Sequence, residues 1–288
     1  MTLNKLQDCA AETFEYFLQT MPDVPFAEDD IIIEFAKQKD MATRAKELCK
    51  FYVPDRAIND SQAQQLNKSI AANALIGKEK SVVLVSTDYK PSKHRFGIKP
   101  PGLFFHEFMH IYCAKSEMDG DHFIDIYGSG HTYGDDPEEK IYDGQLNAGY
   151  VVWSEFIAHY YALLKASDDI YDFSEVRPYA YDLLCDVSLA TDELSKGSFS
   201  YACAYVLNCT DVEDVLNSST DLPDDEPKKM SYEDKNTEML LDCLRYLYDK
   251  LQTDKPWKIT EDFIATLGGK FLMFKLTNSI CLGHINAN

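Results

Sequence analysis

Two histidines four residues apart, with a glutamate directly after the first, stand in the stretch Phe104-Phe105-His106-Glu107-Phe108-Met109-His110. In a helix, positions four apart share one face, about one turn apart. His106 and His110 therefore offer two imidazoles to a single metal ion. Glu107 is rotated about 100° from His106. Its carboxylate then flanks the metal, where it can take a proton from a water held there. The neighbours Leu103, Phe104, Phe108, Met109 and Ile111 are apolar. They predict a buried helix beginning just after Gly102 and running to about Lys115. Ionisable groups inside such a run need partners, because isolated burial is costly; a metal supplies one. Cys113 falls on the ligand stripe a turn beyond His110 and is read as packing.

Downstream, Val152-Trp153-Ser154-Glu155-Phe156-Ile157-Ala158-His159-Tyr160-Tyr161-Ala162 has helical register. Glu155, Ala158, His159 and Ala162 share one stripe; Val152, Phe156, Tyr160 and Leu163 fill the next. Alanines beside a carboxylate allow a second helix to approach closely, so Glu155 is a candidate third ligand. His159, one turn on, suits a supporting hydrogen bond to the centre. Between the two segments, Gly128-Ser129-Gly130-His131-Thr132-Tyr133-Gly134 reads as a loop. Its His131 and Tyr133 are weaker candidates for donors to an oxyanion above the metal.

At His106–His110 plus Glu155 the sequence resembles the gluzincin metallopeptidases, over roughly residues 80–165. The resemblance implies zinc bound by His106, His110 and Glu155, one ion per chain. It implies Glu107 as the catalytic base that activates a zinc-bound water for peptide hydrolysis. Glu155 followed three positions on by Ala158 is similar to the family's glutamate helix. Forty-four residues separate His110 from Glu155, more than in the thermolysin-type interval, and His159 stands where that pattern has an acidic residue. Ser116 and Cys113 occupy the metzincin histidine and glycine positions, which argues against that group. The stretch 120–128 resembles an aspzincin signature displaced by one residue, so Asp125 is an alternative third ligand.

The elements around these residues have their own patterns. Residues 2–21 predict an amphipathic helix ending at Pro22. Residues 31–36 read as a short strand or a helix start, and 40–51 as a helix. A further helix capped by Asp60 or Ser61 is expected to run to Gly77. Ser81–Thr87 is the clearest strand; in zinc peptidases a sheet edge above the metal commonly pairs with the substrate. Residues 88–101 are a loop carrying Lys93, Arg95 and Lys99, the most basic patch of the chain. Residues 119–149 read as polar and glycine-bearing, and 176–209 as two helices. Residues 217–230 are a linker. Ser231 caps a helix with Leu240, Leu244, Leu247 and Leu251 on one face, and a last helix runs from Thr260 to Gly268-Gly269. The tail 270–288 is ambiguous.

Together these predict a predominantly helical α+β fold, with a small sheet packed on the motif helix and a helical C-terminal lobe. Residues 1–220 are expected to form the zincin-like catalytic region, with its metal core at about 80–165. Residues 221–288 form the lobe, packed on the first region as one unit. Core candidates are Val83, Val85, Phe108, Ile111, Val152, Phe156 and Leu163. Across 288 residues the formal net charge is −20, which disfavours nucleic acid and anionic membrane as partners. The eight cysteines are scattered without a CxxC pair and read as reduced, small hydrophobes. No signal peptide or eighteen-residue apolar stretch is visible, so a cytoplasmic location is expected, with signal-less export left open. The expected partner is a peptide or protein substrate; the oligomeric state is left open. Two other functions are compatible with these residues. One is a non-catalytic, zinc-stabilised acidic interaction protein. The other is a zinc hydrolase of a non-peptide amide or ester.

Overall fold

The computed structural model describes residues 2–90, 98–116, 136–166, 196–208 and 232–285. It is predominantly helical, with one three-stranded sheet. The chain divides into two compact units, Met1–Thr132 with Tyr161–Ile170, and Tyr133–Tyr160 with Tyr171–Asn288.

The first unit opens with α1 (Leu3–Thr20), whose Leu6, Ala10, Phe14 and Phe17 are buried at helical spacing. Residues Ile31–Ala36 resolve as a strand, β1. Helix α2 (Met41–Tyr52) follows, then α3 (Asp60–Lys68). The cap of α3 is Asn59, one residue before the expected Asp60 or Ser61. Its Oδ1 accepts from Gln62 N at 2.9 Å, while Asn59 N donates to Gln62 Oε1 at 3.1 Å. The reciprocal pair satisfies two backbone donors at once. The helix does not reach Gly77, because Ala72–Leu75 leaves it to form β2. Strand β3 (Ser81–Ser86) follows, buried at every position.

The sheet order is β1-β3-β2. Strand β1 runs parallel to β3 with Ile31 opposite Ser81 and Ala36 opposite Ser86. Strand β2 is antiparallel, with Ala72 opposite Val85 and Leu75 opposite Val82. The clearest strand of the sequence is therefore the middle one. It pairs on both sides, so it is not the free edge expected for substrate pairing. Alternation of side chains along β3 splits the core. Val82 and Leu84 pack with Met41, Ala45, Leu48 and Leu66 of α2 and α3. On the other face, Phe35 of β1, paired with Val85, meets Phe104 at 6.3 Å between ring centroids.

Phe104 belongs to α4 (Pro100–Lys115), which carries the histidine motif. Pro100 and Pro101 sit in its first turn, where a missing N–H costs nothing. The helix thus starts before Gly102, which lies inside it. Residues Gly102–Met109 and Ile111–Cys113 are all buried; a helix apolar nearly all round belongs in the middle of a core. Phe17 anchors it from α1, with ring centroids 4.9 Å from Phe105, 5.7 Å from Phe108 and 6.0 Å from Tyr112. Tyr112 Oη donates to Pro22 O at 2.8 Å. Lys115 Nζ donates to Gly77 O at 3.2 Å and Lys78 O at 3.1 Å, which fixes the end of the motif helix against the β2–β3 turn.

The second unit is helical in its described residues. The long helix α5 spans Pro137–Ala166, and its residues from Tyr161 onward belong to the first unit. It begins within the polar, glycine-bearing stretch 119–149, after the expected loop 128–134. Helices α6 (Lys196–Leu207), α7 (Tyr232–Leu251) and α8 (Glu261–Ile285) follow among the described residues. Leu240, Leu244 and Leu247 of α7 are buried as expected. Helix α8 does not stop at Gly268-Gly269. A Cβ on Gly268 would lie 1.8 Å from Gln145 O, and one on Gly149 would lie 1.9 Å from Ile264 O. These glycines mark where α5 and α8 touch backbone to backbone. All seven core candidates are buried. No helix among the described residues is long and apolar enough to cross a membrane.

Candidate metal centre

Helix α4 brings His106 and His110 together in the first unit. Their Nε2 atoms lie 3.0 Å apart, with ring centroids 4.6 Å apart and ring planes near perpendicular at 83°. His106 is buried and His110 half-buried. Two imidazole nitrogens this close either share a proton or converge on one cation. Zinc–nitrogen bonds of ~2.0–2.1 Å place two ligand nitrogens of a tetrahedral site roughly 3.3 Å apart. The pair therefore fits zinc with only a small movement of either ring.

Glu107 is 5% exposed. A carboxylate with so little access to water, inside an aromatic helix, is costly, and a purely structural two-histidine site does not require it. Cys113 is buried with its thiol free, and burial pushes the thiol up from its ordinary range. It stays protonated and packs, as the sequence predicts. Cys9, Cys49, Cys203 and Cys243 are also free thiols.

The second unit holds Glu155 and His159. Glu155 lies on α5, half-buried. Its Oε2 accepts a hydrogen bond from Tyr201 Oη of α6 at 2.6 Å. His159, one turn along α5 and 2% exposed, stacks on the Tyr201 ring with centroids 4.4 Å apart and planes at 29°. Tyr205 tilts against the same imidazole at 5.6 Å. Glu155 and His159 are thus joined through one tyrosine.

Three further hydrogen bonds hold α6 along α5. Lys196 Nζ donates to Asn147 Oδ1 at 2.6 Å, Ser200 Oγ to Val152 O at 2.9 Å, and Asn208 Nδ2 to Tyr160 O at 3.3 Å. Desolvation, followed by the nearby Lys275, lowers the Lys196 ammonium from its ordinary range.

Tyr201 is the residue that sequence reasoning missed. It sits among Tyr, Ala and Cys in an ordinary buried helix, and its partner is 46 positions away. No local pattern announces such a pair. His131, Tyr133 and the alternative ligand Asp125 lie outside the described residues, as do Lys93 and Arg95. No protein-family model, curated protein or solved structure matches this chain.

Proposed function

We propose that the chain is a zinc-dependent peptidase in which His106, His110 and Glu155 hold one ion and Glu107 is the general base. The observation that carries this reading is the convergence of two imidazoles on α4: the Nε2 atoms of His106 and His110 lie 3.0 Å apart, with the buried Glu107 next in sequence. Glu155 is the third ligand that the sequence resemblance implies. Two neutral imidazoles and a carboxylate match a catalytic zinc site, which uses three protein ligands and keeps a fourth position open. Zinc bound there would polarise a substrate carbonyl and lower the pKa of water toward ~7.

The chain's own groups supply the rest of the chemistry. The Nε2 atoms of His106 and His110 and a carboxylate oxygen of Glu155 would bind the ion. The Glu107 carboxylate would take a proton from the attacking water and pass it to the departing amine nitrogen. The aromatic shell of α4 excludes bulk water around that carboxylate. Among the described residues β2 pairs only with β3 and lies against α4. An extended peptide could add to its outer edge by main-chain hydrogen bonds.

The test turns on Glu107. Glu107→Gln keeps the volume and removes the basicity. The variant is expected to retain zinc, while its chelator-sensitive cleavage of a mixed peptide library, read by mass spectrometry, falls by about 10²–10⁴-fold. Equal cleavage by both proteins would remove Glu107 as the base. Stoichiometric zinc with no cleavage by the wild type would favour a zinc-stabilised binding protein, or a hydrolase of other amides and esters.

A further inference from the structure

We infer that Tyr201 is a positioning residue for the Glu155 carboxylate: its hydroxyl occupies Oε2 and leaves Oε1 to bind metal alone. The inference rests on the metal reading above and adds to it a reason for four-coordination. A carboxylate with both oxygens available can bind a metal through one or through both. Binding through both fills the position that hydrolysis needs for water. The O–H···O distance of 2.6 Å is short, so the hydroxyl fixes the orientation of the carboxylate.

The tyrosine is itself held in place. Its ring stacks on the buried His159 imidazole. The residue before it, Ser200, is fully buried and bonds both Val152 O of α5 and Lys196 O of its own helix. Phe199, on the far side of α6, packs against Phe271 and Phe274 of α8 at 5.0 and 5.5 Å. The hydroxyl therefore meets Glu155 from a rigid frame. Such partners of metal ligands typically contribute 10–100-fold in affinity.

Tyr201→Phe deletes the hydroxyl and keeps the ring that stacks on His159. The expected results are a ~10–100-fold loss of zinc affinity and a change in the visible spectrum of the Co²⁺-substituted protein. That spectrum should lose intensity as the coordination number rises. Ser200→Ala is the frame control: it loosens α6 on α5 but keeps the Tyr201 hydroxyl, and should shift both readouts much less than Tyr201→Phe does. The inference is overturned if Tyr201→Phe matches wild type in affinity and spectrum, or if Ser200→Ala changes both as much as Tyr201→Phe does. Glu155→Gln separates the two levels. Loss of affinity in Glu155→Gln but not in Tyr201→Phe refutes the role of Tyr201 alone. Unchanged affinity in Glu155→Gln refutes the metal reading, and the positioning role with it.

Discussion

Each imidazole of the His106–His110 pair supplies one bond in the proposed centre, and neither can be replaced by the other. His106→Ala and His110→Ala should each lose stoichiometric zinc in elemental analysis of the purified protein. Retention of full zinc by either variant rejects the site. Glu155→Gln should weaken zinc binding in a competitive titration with a chelating dye, whereas Asp125→Asn should not; the reverse ranking moves the third ligand to Asp125. These residues were legible because their chemistry is rare and their spacing local. A His-Glu-x-x-His run needs only the helical period to bring its groups to one face. Tyr201 was not legible, because tyrosine in a buried helix has many uses and its bond to Glu155 exists only once α6 lies along α5.

The long helix α5 carries Glu155, so whatever sets its path sets the carboxylate. Its closest constraint is the contact of Gly149 with α8, where an added Cβ would strike backbone that cannot rotate away. Gly149→Ala is expected to destabilise the protein by about 1–3 kcal/mol. Gly144, on the same helix, has nothing within 4 Å of an added Cβ. Gly144→Ala should instead stabilise by about 0.5–1 kcal/mol through helix propensity. Denaturant titrations of the two variants read the signs directly; two changes of the same sign would refute the close-contact account. The Gly268-Gly269 pair shows why element ends were harder to read than element centres. Glycines mark helix ends in sequence, yet here one is required in mid-helix by a neighbour's backbone. Ala72–Leu75 shows the converse. Ala-Asn-Ala-Leu has little strand preference, and pairing with β3 outweighs its local tendency.

At the scale of the molecule, a formal charge of −20 over 288 residues repels itself, and that repulsion opposes the compact state. Added monovalent salt should raise the melting temperature, with most of the gain reached by about 0.15 M, where the screening length is about 8 Å. Calorimetry at constant zinc loading measures this, and an unchanged transition would show that the charges are already neutralised locally. The sequence by itself determined the predominantly helical character with one small sheet. It also determined the motif helix with its buried aromatic shell and the identity of the candidate ligands. All of these follow from periodicity and residue chemistry over a few turns. Only the tertiary structure decided that β3 is the central strand and not a free edge, that α5 and α8 meet through glycines, and that Tyr201 bonds Glu155. Each of these pairs residues tens to more than a hundred positions apart, and such contacts are selected by packing the whole core, not by preferences within any one segment.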